Sequence, residues 1–381
     1  MIQVKHLAVA ALATLSHASP LVHSRDTSSS SSSSNITYVY TNPNGLQYTH
    51  MNTTLPNVTI FATGGTIAGS AESNTATTGY QAGALGIQTL ISAVPEMLSV
   101  ANVAGVQIAN VASGDVTSSI LLEMAHRLNT VVCKDPHMAG AVVTHGTDTL
   151  EETAFFLDAT VNCGKPIVIV GAMRPATAIS ADGPYNLLQA VTIASTKAAR
   201  DRGAMVVMND RIASAYYVEK TNANTMDTFK AVEMGFLGAI VSDRPFFYYP
   251  AVQPTGKTPV NVTGIEEIPR VDILYSYQDM SNDTLFSAVE NGAKGVVIAG
   301  SGAGAVSSTF SSTISSVMDK RDDFPIVSST RTGNGEVPYS DSGDIASGFL
   351  NPPKSRILLG LLLAEGKSVE EIRDVFGKVA I

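Results

Sequence analysis

Two short segments of the 381-residue chain set a threonine beside glycine directly after an apolar run. Thr63-Gly64-Gly65-Thr66 follows NVTIFA. His145-Gly146-Thr147-Asp148-Thr149 follows AGAVVT and leads into a helical segment with Glu151 and Glu152 in its first turn. A threonine hydroxyl is a weak nucleophile and needs a base to take its proton. Glycine next to it lets the backbone approach a ligand and offer N–H groups to a developing negative charge. On these grounds Thr66 and Thr147 are equal candidates for attack on a carbonyl carbon. Thr147, Asp148 and a lysine can form a relay in which the carboxylate orients the lysine and the lysine deprotonates a threonine. Lys197 is the lysine the sequence offers. It closes the otherwise uncharged segment NLLQAVTIASTK, where burial would lower its pKa; a solvated lysine complementing the helix end is the alternative.

Other chemistries lack their residues. There is no G-x-S-x-G for a serine nucleophile elbow, no H-E-x-x-H, no phosphate-binding Walker loop and no G-x-G-x-x-G. Of seven histidines only His126, His137 and His145 lie beyond residue 50, and His145 reads as a structural hydrogen bonder within its turn. The GSGAG at Gly300 to Gly304 reads as a close backbone contact and not as a nucleotide site. No cluster of Cys and His suggests a metal, and no cofactor is expected. The formal charge of -9 is spread without a basic cluster, so nucleic acid is not an expected partner.

The elements that must position these turns are strands and helices in alternation. NVTIFA, AGAVVT, PIVIVGA and GAMVVMN are apolar runs bounded by glycine or polar turns and separated by helical stretches, the pattern of a parallel sheet covered on both faces. In such doubly wound α/β domains ligands bind beyond the carboxyl ends of the strands, where both threonine turns fall. The catalytic α/β domain is expected over residues 55–245. A proline- and aromatic-rich linker follows over 246–270, and a smaller α/β domain over 271–381. The run LLGLLLA is too short to span a bilayer and reads as a core helix, so no membrane contact is expected. Residues 1–19 have the layout of a secretory signal, with Lys5 and His6 before the apolar run Leu7 to Leu15. Residues 20–54, with serine at every position from Ser28 to Ser34, read as a flexible tail. Together with N-x-S/T triplets at Asn35, Asn52, Asn57, Asn261 and Asn282, this points to a secreted, glycosylated chain: extracellular, periplasmic or wall-bound. In an oxidising compartment the two cysteines, Cys133 and Cys163, read as one disulfide.

The segments ATGGTIAG (62–69), THGTDTLEETAFFLD (144–158), VGAMRP (170–175), SADGPYNL (180–187) and ASGFLNPPKSR (346–356) closely resemble the type II bacterial L-asparaginases. The resemblance runs from about Leu55 to the C-terminus. It implies a threonine amidohydrolase acting on L-asparagine, and on L-glutamine if the site is broader, without metal or cofactor. By position, Thr66 matches the nucleophile and Tyr80, on a mobile lid, the group that polarises it. Thr147 and Asp148 with Lys197 match the relay, and Ser113 and Asp115 the pair that holds the substrate. Glu336 matches an acidic residue lent by a neighbouring subunit, and Cys133 with Cys163 the family's disulfide. The family forms homotetramers whose sites are completed across a dimer interface. Gly114 departs from a usual glutamine or glutamate, and Ala303 from a frequent asparagine, which puts substrate preference in question. A rival from another class is a secreted binding protein closing around a small zwitterion.

Overall fold

A computed structural model describes residues 37–71, 73–75, 81, 83–341 and 343–379. The segment read as a signal and the candidate Tyr80 lie outside the described residues. Among the described residues two main sheets organise the chain from Tyr38 onward, beside a two-stranded pair, Glu219–Lys220 with Phe229–Lys230. The larger has ten strands, and its centre is parallel: Asn102–Val111, Asn57–Gly64, Met138–Thr144, Ile167–Val170 and Ala204–Met208, in that spatial order. Beyond Ala204–Met208 the sheet continues antiparallel through Arg211–Ser214, Gly238–Val241 and Arg244–Phe247. The smaller sheet is parallel throughout: Val271–Tyr275, Gly295–Gly300, Ile326–Thr330 and Ile345–Ala346. This is the expected α/β class in two domains, with an antiparallel extension that the expectation did not contain.

The tail expected to residue 54 takes on structure earlier. Tyr40–Thr41 pairs with Gln47–Tyr48, and Tyr48 bridges to Ala104, adding a hairpin to the sheet edge. The turn is closed by Asn42, whose side-chain oxygen accepts from the backbone of Asn44 at 3.0 Å and Leu46 at 2.8 Å. Leu46 and Tyr48 are the buried anchors.

Helix Leu150–Thr160 is buried at every residue except Glu152, because it is pressed between the large sheet and helix Pro352–Ala364 of the other domain. The LLGLLLA run is therefore a core helix, as read from its length. One apolar cluster runs from Leu46 through Phe156 and Leu359 to Val379 and so joins both domains. The stretch between the sheets is pinned as well: Lys257 forms a 2.7 Å ion pair with Asp158, both nearly sealed from solvent. Cys133 and Cys163 form a disulfide with a Cα–Cα separation of 5.6 Å.

The strands at the centre of the large sheet end at one level, and their turns meet there. A Cβ placed on Gly65, at φ 78°, would lie 2.2 Å from the Gly146 nitrogen. One placed on Gly146 would lie 2.9 Å from the Ser113 Cβ. The Thr66 and Thr147 turns thus touch backbone to backbone, the Ser113 side chain packs against Gly146, and Gly65 N donates to Val111 O at 3.1 Å to hold the approach.

His145 holds the second turn. Its Nδ1 lies 2.7 Å from Gly146 O and its Nε2 2.9 Å from Thr153 Oγ1. A carbonyl only accepts, so Nδ1 carries the proton and Thr153 donates to Nε2. Burial pushes the imidazole from its ordinary 6.5 down to about 4, with the Gly146 bond opposing. It is a neutral hydrogen bonder, as the sequence suggested.

Two outcomes are expected. Gly65→Ala meets both a left-handed backbone and the Gly146 backbone, so it should lower the thermal midpoint and cost about 2 kcal/mol or more; wild-type stability would contradict the close approach. For His145 the folded pKa is below the unfolded one, so its stabilising contribution is complete above pH 6.5. Between pH 6.5 and about 4 the unfolded chain binds a proton that the folded chain refuses, and up to about 3 kcal/mol is lost as pH falls. NMR titration of His145 that midpoints near 6.5 would refute this.

Candidate active site

Thr66 opens the single turn Thr66–Ala68 at the end of strand Asn57–Gly64 and is buried. The preceding Thr63 donates its hydroxyl to Thr144 O at 2.9 Å, tying this turn to the strand that carries the Thr147 turn. Thr147 is buried beside it. Ser113 belongs to the turn Ser113–Asp115 after strand Asn102–Val111; it is buried, and its carbonyl accepts from Thr149 Oγ1 at 2.7 Å. Gly114 and Asp115 are exposed. The next helix, Ser118–Arg127, is capped by Thr117, whose side chain accepts from Ile120 N.

The lysine that the structure brings to Thr147 and Asp148 is Lys220 and not the expected Lys197. Lys220 Nζ donates to Thr147 Oγ1 at 3.0 Å and pairs with Asp148 at 2.5 Å. Its side chain is 12% exposed, whereas that of Asp148 is 82% exposed, so a shielded ammonium is balanced by a wet carboxylate. Lys220 sits on the two-residue strand Glu219–Lys220, paired with Phe229–Lys230, and its backbone N–H donates to the Glu151 carboxylate. Lys197 is exposed, at the start of the turn Lys197–Ala199. The reason is helix polarity. Helix Gly183–Ser195 starts beside the Thr66 turn, since a Cβ on Gly183 would meet Ile67, and ends beside the opening of strand Met138–Thr144, since a Cβ on Gly140 would meet Ala194 O. Its 13 residues carry Lys197 about 20 Å away, to the opposite edge of the sheet.

Glu336 is half-buried on the second domain, in the loop that follows strand Ile326–Thr330. Ala303 is exposed in the tight turn bridged by Ser301 and Ala305. A cavity of about 660 Å³ opens between the domains next to the Ser113 turn, lined among others by Gly114, Thr149, Glu152 and Arg356. Burial raises the Glu152 carboxyl while Arg356 opposes the rise. Among the described residues no group of three or more His, Cys, Asp or Glu side chains gathers as a metal would require.

The site thus joins a buried threonine, a second threonine bonded to a lysine–aspartate pair, and an exposed carboxylate on a serine turn, all at the carboxyl ends of neighbouring strands. Such a set can hold a charged small molecule and move a proton between hydroxyl and amine. Lys220 was missed because nothing near YVEKTN marks it, and it lies more than 70 positions from its partners.

Comparison with known proteins shows the family. A model of the asparaginase N-terminal domain matches residues 57–253, and one of the glutaminase/asparaginase C-terminal domain matches residues 270–376. The chain is 49% identical over 325 residues to probable L-asparaginase 1 of Schizosaccharomyces pombe, covering 85% of this chain and 89% of that protein. It is 49% identical over 328 residues to L-asparaginase 2 of Bacillus subtilis, covering 85% and 87%. A crystal structure of the probable cytoplasmic L-asparaginase from Campylobacter jejuni superposes with a TM-score of 0.80 at 42% identity, covering 85% of this chain and 99% of that one.

The last comparison overturns one expectation. The same fold is carried by a protein described as a probable cytoplasmic L-asparaginase, so likeness to this family does not bring export with it, and the signal on which secretion was read lies outside the described residues. The assignment to a secreted compartment is withdrawn. With both domains matched by family models and near-half identity to L-asparaginases across most of its length, the chain belongs to the asparaginase family of amidohydrolases.

Proposed function

We propose that the chain hydrolyses L-asparagine to L-aspartate and ammonia, with Thr66 as the nucleophile. The observation that carries this reading is the bond from Lys220 to Thr147 in the turn packed against that of Thr66. Thr66 Oγ attacks the side-chain amide carbon and gives up its proton; the C–N bond breaks and the nitrogen leaves as ammonia. Water then cleaves the aspartyl ester, restoring the hydroxyl. Thr147, Lys220 and Asp148 pass the protons: as an ammonium, Lys220 donates to Thr147 Oγ1, and as a free amine it takes the hydroxyl proton. Ser113 and Asp115 hold the amino-acid end, the carboxylate of Asp115 opposite the substrate ammonium. Tyr80, outside the described residues, keeps the role of polarising Thr66 that the resemblance gives it.

Gly114 supports a second, broader reading. A Cβ there would meet nothing within 4 Å, so the position that carries a polar side chain in relatives leaves room here and loosens selection between asparagine and glutamine. Four copies, with Glu336 of one completing the site of another, is the assembly the resemblance supports. Light scattering that shows a monomer at full activity would reject it.

The deciding measurement is ammonia release from asparagine and glutamine side by side. Thr66→Ala should lose several orders of magnitude in kcat with the fold intact, and substantial remaining turnover would sink the assignment. Lys220→Met should lower kcat by about 10²- to 10⁴-fold, the range of general acid–base groups. Lys197→Met should behave as wild type, and the reverse ranking would restore Lys197 to the relay.

A further inference from the structure

The motif ASGFLNPPKSR has no part in the chemistry above, yet it contains a deeply buried lysine at the start of helix Pro352–Ala364. Lys354 is 1% exposed, and its Nζ donates to the carbonyls of Tyr216 at 2.9 Å and Val218 at 2.6 Å. Those carbonyls belong to the turn that leads from strand Arg211–Ser214 into Glu219–Lys220. A second connection runs beside the first. Asn351 Nδ2 donates to Glu151 Oε1 at 3.0 Å, and the other oxygen of Glu151 accepts the backbone N–H of Lys220. Asn351 also caps its own helix, its Oδ1 accepting from Lys354 N at 3.0 Å.

We infer that Asn351 and Lys354, at the start of helix Pro352–Ala364, are positioning residues for the reaction: through Glu151 and the Tyr216 and Val218 carbonyls they set the segment from which Lys220 reaches Thr147. The inference rests on the reading of Lys220 as part of the relay. Three observations support it. The segment has little sheet to hold it, since Glu219–Lys220 is a two-residue strand with a two-residue partner. Lys354 of the second domain bonds it at residues 216 and 218, and Glu151, itself held by Asn351 of the second domain, bonds it at residue 220, so together they fix backbone immediately before and at the lysine. Burying an ammonium is costly unless it is paired and bonded, and Lys354 is faced by Glu151, Glu219 and Asp158, which oppose the downward push of its burial. A plain interdomain staple would not need acceptors on the stretch that carries the relay lysine.

The polarity of the Glu151–Asn351 bond supplies the test. Glu151→Gln still offers an oxygen to Lys220 N–H but turns an amide N–H toward the amide of Asn351. Asn351→Asp keeps the helix cap but sets carboxylate against carboxylate. Together, E151Q/N351D restores one donor and one acceptor with the direction reversed. Ammonia release from asparagine, KM, the pH profile of kcat/KM and the folded fraction by circular dichroism are measured for all four proteins and for Lys354→Met. Each single variant should lose kcat per folded molecule, on the order of ten- to a hundred-fold as displaced catalytic groups do. KM should hold and the pH profile should shift, because the ammonium no longer sits at its distance from Thr147. The double variant should recover most of both. Rates are normalised to the protein folded at each pH, so a shift of the profile separates positioning from stability. Single variants that fold with wild-type kcat and pH profile, or a double variant no better than the singles, would overturn the inference. Lys354→Met that folds should share the loss; if it does not fold, the reversed pair decides alone. A wild type that releases no ammonia would sink the proposed function itself, whereas an active wild type with indifferent variants would sink only this step.

Discussion

Everything in the site depends on two backbones approaching to within the space of a missing side chain. Gly65 and Gly146 face each other so closely that a single carbon on Gly65 would lie 2.2 Å from a peptide nitrogen. The parallel arrangement makes this possible. Strands Asn57–Gly64 and Met138–Thr144 are neighbours that run the same way, so their turns emerge at the same end and are pressed together by the ladder spacing of the sheet, about 4.8 Å. Side chains at both contact positions would hold the turns apart and separate the two threonines. Thr63, bonded across to Thr144, and His145, bonded to its own turn and to Thr153, lock the register from either side. A neutral imidazole is suited to that task, because a charged one in a sealed turn would need a counter-ion that is not supplied.

What was legible in the sequence follows from this. A glycine-rich turn after an apolar run is a local signature, and both threonine turns carry it, as do the strands and the core helix with LLGLLLA. The first threonine turn could be paired with the second because both follow parallel strands. Which of the two attacks could not be read, since each has the same local chemistry. The hairpin Tyr40–Tyr48 was hidden by its neighbourhood: a serine run draws attention to composition, while two buried side chains and an asparagine-closed turn are enough to add it to an existing edge. Lys220 was illegible for a different reason. Its strand has two residues and its partners are in another part of the chain, so neither periodicity nor spacing marks it. Lys197, by contrast, could have been excluded from sequence alone. A helix that leaves the carboxyl end of a parallel strand must return to the opposite edge before the next strand begins, and a residue at its far end cannot serve the end it left.

The two domains are distinct in sequence but not mechanically separate. One apolar cluster passes through both, the stretch between them is fixed by the sealed Lys257–Asp158 pair, and helix Pro352–Ala364 lies against helix Leu150–Thr160. Helix Leu150–Thr160 is entered directly from the His-Gly-Thr-Asp-Thr turn, so its partner helix in the C-terminal domain backs the turn that carries Thr147. Burial at nearly every residue of Leu150–Thr160 seats it firmly between the sheet and its partner helix, and this backing adds to the His145 bonds that hold the turn at its head.

The Lys220–Asp148 pair shows where such rigidity is needed and where it is not. With Asp148 largely in water, the pair contributes little to stability, because solvent screens it and side-chain entropy opposes it. Its value is directional. The ammonium has three donors; one goes to Asp148 and one to Thr147, so the carboxylate limits rotation of the head while leaving it able to exchange protons. A fully buried partner would hold the ammonium harder and make deprotonation costlier. Freedom at the carboxylate and constraint at the backbone are therefore complementary: the segment that carries Lys220 is held from beneath by Glu151, and its head is held from solvent by a group that can move. On the proposed mechanism proton transfer to and from Thr147 would require both, since a lysine fixed at the head would not exchange and one loose at the backbone would not reach.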